Sequence, residues 1–264
     1  YSKNPKEKDE AFQVCDALSL DATGTPASRA QARSNLYFYL PPLSSFCPSI
    51  THSPIKFTAP DGYVAMNPSV TKFGYGYRAI IRCVNYRINE HGQYLIRGED
   101  GTANDKNPIH TRNYLIQLDS HADIQESCEI LMPIDMPAPR YLPVRGFEDM
   151  RLFSIGKNLW VNASIREMND AGYCEQILAR LETVMQDGEM KMRLTDWKIL
   201  HPEGPKVHEK NWMPYTDITE ARFQYRLDTV VNSDGVEFSK DNTNLDVAHI
   251  SGGSQLIPWA NPYD

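Results

Sequence analysis

Two acids and a base stand close together in Glu148-Asp149-Met150-Arg151, after Arg145-Gly146-Phe147 and directly ahead of the apolar pattern Leu152-Phe153. A turn of that composition, opening a strand, is where an acid–base site would keep its proton donor. Three other polar heads open apolar stretches in the same way. They are Asn67-Pro68-Ser69 before Val70 to Arg82, Lys210-Asn211 before Trp212 to Tyr225, and Gly252-Gly253-Ser254 before Leu256 to Trp259. Four such starts predict a repeated β unit.

The elements that must position these heads are short. From Tyr63 onward the chain reads as runs rich in β-branched and aromatic residues, such as Tyr77-Arg78-Ala79-Ile80-Ile81, Asn113 to Leu118 and Leu159-Trp160-Val161. Turn chemistry bounds them at Glu90-His91-Gly92 and at Ser154 to Asn158, as expected of strands and hairpins. Gln176 to Gln186 is long enough to suggest a helix, although Cys174 to Leu181 reads equally well as an outer strand. Residues 1 to 55 differ: charged first, then Ala/Ser-rich, then punctuated at Pro41-Pro42 and Pro48. We read them as an N-terminal extension with a short helix over Ser28 to Tyr37, followed by the folded domain at 56–264.

The spacing between heads and following strands repeats. Ser69 to Arg82, Asp149 to Asn162 and Asn211 to Gln224 are each thirteen residues apart, with an aromatic four after the head at Phe73, Phe153 and Tyr215. Residues so spaced across a hairpin stand near one another, since the side-chain period is two and the turn absorbs the remainder. Four-stranded repeats of this length predict an all-β fold, a five-bladed-type β-propeller whose innermost strands converge on a central funnel.

Composition bounds the function. The 264 residues carry 27 Lys and Arg against 34 Asp and Glu, a net charge of −7. That balance argues against nucleic acid held through its phosphates and against an anionic membrane surface. Five widely spaced cysteines (Cys15, Cys47, Cys83, Cys128, Cys174) contain no C-x-x-C pair, so neither a disulfide framework nor a zinc site is expected and a reducing, cytoplasmic setting is the simpler reading. No apolar run approaches the ~20 residues of a spanning helix. The first residue is Tyr1 and the last Asp264. We read the chain as a piece of a longer protein, with the propeller incomplete at its C-terminus.

The four heads together resemble glycoside hydrolase family 130, whose members include mannoside phosphorylases with five-bladed propellers. Phe147-Glu148-Asp149-Met150-Arg151 is similar to that family's Glu-Asp-Pro-Arg motif, with Met150 in place of Pro. Asn67-Pro68-Ser69 with Arg82 resembles its first-blade motif and phosphate-contacting Arg; Lys210 to Pro214 and Gly252-Gly253-Ser254 resemble its later-blade motifs. The resemblance covers roughly residues 60 to 264 and implies inverting cleavage of a β-mannoside or related glycoside, with phosphate as nucleophile and no further cofactor. Asp149 would be the general acid; Arg82, Arg151 and Lys210 would hold phosphate, with Asn67, Ser69, Asn162, Arg166 and Asn211 as further contacts. An oligosaccharide or glycoside would be the partner, and an oligomer is compatible with all of this.

The residue types suit that chemistry. Phosphorolysis with inversion needs one acid and an anion cradle, because phosphate is itself the nucleophile. Hydrolysis would need a second carboxylate to activate water, for which Glu148 or Glu209 is available. Neighbours on a regular strand point to opposite faces, so Glu148 and Asp149 are not expected to share one, which favours phosphate over water. Arg82 lies in the apolar run Ala79 to Val84, so it requires a bound anion or a structural ion pair. Lys210 reads equally as a solvated charge, His208 and His249 as structural or exposed, and Trp160, Trp212 and Trp259 as core aromatics rather than sugar platforms. A carbohydrate-binding or scaffold domain without turnover is the reading from another class.

Overall fold

In the computed structural model of the chain, the residues described are 45, 47–49, 53–89, 92–200, 208–215, 219–226, 228–240 and 256. The helix expected at Ser28 to Tyr37, the Gly252-Gly253-Ser254 head, His249 and Trp259 lie outside them. The chain divides into two compact units, Tyr1–Ser53 and Pro54–Asp264, and every strand among the described residues belongs to the second.

The described part of that unit is all-β, with a nine-stranded, a four-stranded and a three-stranded sheet; the nine-stranded sheet is made of two antiparallel four-stranded halves, which we call the first and second sheets, and the four-stranded sheet is the third. In the first, β1 (Val64–Phe73) pairs with β2 (Gly76–Val84). A small three-stranded sheet then intervenes, formed by β3 (Tyr86–Ile88), β4 (Tyr94–Arg97) and β5 (Ala103–Asn104). The first sheet resumes with β6 (Ile109–Leu118), paired to β2, and β7 (Ile124–Leu131) at its outer edge. A two-residue strand, β8 (Val144–Arg145), runs parallel to the start of β6. The second sheet is the succession β9 (Glu148–Ile155), β10 (Asn158–Ile165), β11 (Glu175–Gln186) and β12 (Glu189–Leu200). The third is β13 (Met213–Pro214), β14 (Arg222–Arg226), β15 (Thr229–Asn232) and β16 (Glu237–Lys240).

Outer strands β7 and β12 join the first two sheets through the parallel pairs Met192↔Ile130 and Arg193↔Leu131. The resulting sheet runs β1-β2-β6-β7-β12-β11-β10-β9, and its two ends, β1 and β9, come back into contact. The order therefore nearly closes on itself.

The stretch Gln176 to Gln186 is strand, the third of its sheet, rather than helix. Gln176, Ile177, Leu178 and Ala179 are all buried, so the sheet is covered on both faces and the run lacks the apolar-polar alternation that would mark it as a strand. Its hairpin to β12 turns at Asp187-Gly188, where both φ values are positive (54° and 78°), the geometry that favours Asp-Gly in two-residue hairpins.

Alternate residues of β9 show how the core divides. Leu152 joins Ile80 and Leu115 of the first sheet and Val161, Ile177 and Leu194 of its own. Phe153, one residue on, faces Trp212, Phe223 and Val231 of the third sheet, its ring 5.9 Å from that of Phe223 at 83°. A further cluster holds Ile55 and Phe57 against the other face of the first sheet. Trp212 is fully buried and Trp160 packs beside it. Among the described residues no helix is long and apolar enough to cross a membrane, and Cys47, Cys83, Cys128 and Cys174 are free thiols.

Candidate functional site at the strand starts

The polar heads meet. Asn67 before the bulk of β1, Asp149 in β9 and Asn211 ahead of β13 line one cleft of about 240 Å³, together with Ser69 and Arg151. All three residues have left-handed backbone, with φ of 47°, 48° and 60°. Asn and Asp are the non-glycine residues that tolerate this best.

In β1 and β9 the left-handed residue belongs to a bulge. Pairing of β1 with β2 slips between Met66 and Ser69, and pairing of β9 with β10 slips between Glu148 and Arg151. The slip corrects the expected register. Ser69, Arg151 and Met213 are the residues paired to Ile80, Asn162 and Gln224. The thirteen-residue interval therefore runs from Asn67 to Ile80 in the first sheet, and the counterpart of Asp149 there is Asn67, not Ser69. Ser69 is nearly buried, and its hydroxyl accepts a bond from the Leu152 N–H at 3.0 Å, fastening β1 to β9.

The bulge also overturns the expectation that Glu148 and Asp149 face apart. Arg82 is 5% exposed and reaches both acids: Nη1 donates to Asp149 Oδ1 at 2.8 Å and Nη2 to Glu148 Oε1 at 2.9 Å. The left-handed turn at Asp149 breaks the two-residue alternation, so consecutive carboxylates flank one guanidinium. The charge in the apolar run thus has its buried partner, and Arg82 stands behind Asp149 with both terminal nitrogens engaged. Asn67 Nδ2 donates to the same Asp149 oxygen at 2.8 Å.

Burial works to raise the Asp149 pKa, but the Asn67 amide and the Arg82 and Arg151 charges outweigh it and hold the carboxyl below the usual range. At neutral pH Asp149 is a carboxylate. Burial lowers the pKa of Arg151, against the pull of Asp149.

Residues that sequence reasoning passed over set the turn before β9. Asn113, buried in β6, donates to the Phe147 carbonyl at 3.0 Å. Glu167, also buried, accepts from the Gly146 N–H; burial raises its pKa despite that bond and the Arg145 charge. Gly146 has φ of 86°, and a Cβ there would meet the Thr111 carbonyl oxygen at 2.2 Å. Only glycine fits. The signal available in the sequence was a polar Asn113 inside an apolar strand, which must find a partner when buried.

Several expected contacts lie elsewhere. Asn162 is 1% exposed and donates to Gln176 Oε1 and to the Trp212 carbonyl, both at 3.1 Å, tying the second sheet to the start of the third. Arg166 donates from Nε to Cys174 Sγ at 3.2 Å and is not among the residues lining the cleft. Glu209 is buried, accepting from Trp212 Nε1 at 3.0 Å and the Tyr225 hydroxyl at 3.3 Å. Gln224 accepts from the Tyr215 hydroxyl at 2.6 Å. His208 accepts at Nδ1 from the Cys174 N–H. Lys210 is exposed beside Asn211. Among the described residues no group of three His, Cys, Asp or Glu side chains is placed to hold a metal.

The arrangement gives one ionised acid, two amide side chains and one cation around a polar cleft. Such a set can bind hydroxyls on one side and an anion on the other. No protein-family model matches the chain, and no curated protein matches it.

Proposed function

We propose that the cleft is the catalytic funnel of a five-bladed-type β-propeller related to glycoside hydrolase family 130, acting on a β-mannoside or similar oligosaccharide in the cytoplasm with phosphate as co-substrate. The observation that carries this reading is the convergence of Asn67, Asp149 and Asn211, from the starts of three successive sheets, with Arg151 on one cleft. Phosphate, held by Arg151 and by Lys210 from the rim, attacks the anomeric carbon as the bond to the leaving oxygen breaks on the opposite face. Asp149 gives that oxygen its proton, directly or through a sugar hydroxyl, and the product is an inverted sugar 1-phosphate. Asn67 and Asn211 hold sugar hydroxyls, and Arg82 orients Asp149 from behind. Asn67 and Arg82 do most to hold Asp149 ionised and Arg151 adds to them; phosphate beside Arg151 offsets that last part, and a dihydrogen phosphate brings the proton that Asp149 passes to the leaving oxygen.

A second reading is favoured by one observation: Glu148 and Asp149 flank the same guanidinium. With two carboxylates on one side of the strand, Glu148, which stands behind the cleft lining, would have to turn toward it to activate water, and the reaction would then become hydrolysis. The two separate in one experiment. Mannosyl oligosaccharides are incubated with and without phosphate and the products resolved. Sugar 1-phosphate appears only with phosphate, Asp149→Asn lowers its formation by about 10²–10⁴-fold, and Glu148→Gln leaves phosphate dependence intact. Free sugar formed equally without phosphate, and lost in Glu148→Gln, establishes hydrolysis instead. No turnover of any glycoside overturns both and leaves a sugar-binding domain.

A further inference from the structure

A larger open cavity, about 620 Å³, lies apart from the Asp149 cleft and shares none of its lining residues. One wall is the paired start of β6 and β8. His110 and Arg112 stand two residues apart on β6, and Arg145 is the register partner of His110. Arg97 at the end of β4 and Tyr63 ahead of β1 also line it.

Most of the polar groups in this cavity are already satisfied. Arg112 donates to Glu129 Oε1 and Asp61 Oδ2, each at 2.7 Å, and Arg97 Nη1 donates to the Asp61 carbonyl at 2.6 Å. Asn85 and Asn107 donate to backbone carbonyls. Arg145 is different. Its side chain makes no hydrogen bond or ion pair with another described residue, and its Nε is buried without an acceptor. Glu167 is within electrostatic reach, but its carboxylate receives the Gly146 N–H. The half-buried guanidinium thus carries the desolvation cost of its Nε donor, and its terminal nitrogens have no protein acceptor among the described residues.

The neighbouring imidazole feels the Arg145 charge. Burial first, and the Arg145 charge second, push the His110 pKa down, with Glu99 acting against them. The space is within the range of small-ligand sites. Its remaining lining, with Glu99, Asp100 and Asn107, offers acceptors suited to hydroxyl groups.

We propose that this cavity binds a small polyhydroxylated ligand bearing one compact anionic group, a phosphate monoester or a carboxylate, with the Arg145 guanidinium as its anchor and His110 beside it. Arg145 offers the planar fork that either oxyanion accepts in two-pronged fashion. The hydroxylated remainder faces Glu99 and Asn107. The site is independent of the chemistry proposed at Asp149.

The test is a titration of the full chain with glucose 6-phosphate, glucuronate and neutral glucose, followed by calorimetry and by the NMR signals of the His110 imidazole, assigned by their loss in His110→Gln. At least one anionic sugar is expected to shift those signals saturably while glucose does not; which of the two does so identifies the anion. Arg145→Gln is expected to weaken the binding read from the His110 signals about tenfold or more, and Arg151→Gln, in the other cleft, to leave that His110 response unchanged. The wild-type His110 shift decides the matter even if Arg145→Gln fails to fold. Three results overturn the proposal: no saturable shift with either anionic sugar up to about 10 mM, an equal response to glucose, or binding lost in Arg151→Gln but retained in Arg145→Gln.

Discussion

Replacing Arg82 with Met keeps the aliphatic stem and removes the charge shared by Glu148 and Asp149. The side chains of the three residues are 6%, 14% and 31% exposed, so the pair is buried on one side and partly open on the other. Removing one partner of a buried ion pair costs about 3–5 kcal/mol; water reaching Asp149 compensates in part, which places the expected loss at the low end, about 3 kcal/mol. The pH dependence follows from the direction of the Asp149 shift. Its folded pKa is depressed, so its contribution to stability is present above the unfolded value of about 4 and is lost as pH falls through the folded pKa. In Arg82→Met the two lowering effects of Arg82 are gone and only Asn67 and Arg151 oppose burial, so the folded pKa of Asp149 rises and the stability it contributes above that pKa shrinks. The difference between wild type and variant is therefore greatest near pH 7 and narrows toward about pH 4. Urea unfolding of both proteins across that range measures it. A difference below about 1 kcal/mol, or one that does not change with pH, refutes the assignment of Arg82, alongside Asn67, as a group that holds Asp149 ionised.

Two other substitutions test how the site is supported. Gly146→Ala places a Cβ against the Thr111 carbonyl at a positive φ and is expected to cost about 3 kcal/mol or more in unfolding free energy; a change within about 0.5 kcal/mol removes the steric argument. Asn162→Ala deprives Gln176 and the Trp212 carbonyl of their donor and is expected to cost about 1–3 kcal/mol, with faster amide exchange in β13 and β14; unchanged exchange there shows that the third sheet is held by other contacts.

What could be read from the sequence was the strand content and the heads that open the strands, because turn residues and β-rich runs are local signals. The requirement that Arg82 find a partner was also legible, since a charge inside Ala79 to Val84 cannot be left alone. Bulges were not. Alternation assumes regular strands, and one left-handed residue at Asn67 or Asp149 moves every later pairing. That single effect displaced the first-sheet register onto Ser69 and set Glu148 and Asp149 wrongly apart. The repeated Asn or Asp at the heads was the available clue, since these types favour such backbone. The Gln176 to Ala179 run misled for the opposite reason: both of its faces are buried, so it carries no period. The Arg145 cavity was hidden because its walls come from segments far apart in the chain, brought together by pairing between β6 and β8 and by the bonds of Arg97 and Arg112 to Asp61.

The three left-handed positions impose a restricted alphabet on the cleft. Backbone of that shape accepts Gly, Asn and Asp readily and longer side chains poorly, so an acid delivered from a strand start is Asp rather than Glu. Asn and Asp are nearly isosteric and differ by one charge, which makes the choice of acidic sheet almost independent of the scaffold. The exchange Asn67→Asp with Asp149→Asn would move the negative charge across the cleft without asking the backbone to change. A repeat built in this way can vary its chemistry one position at a time while the sheets beneath it stay the same.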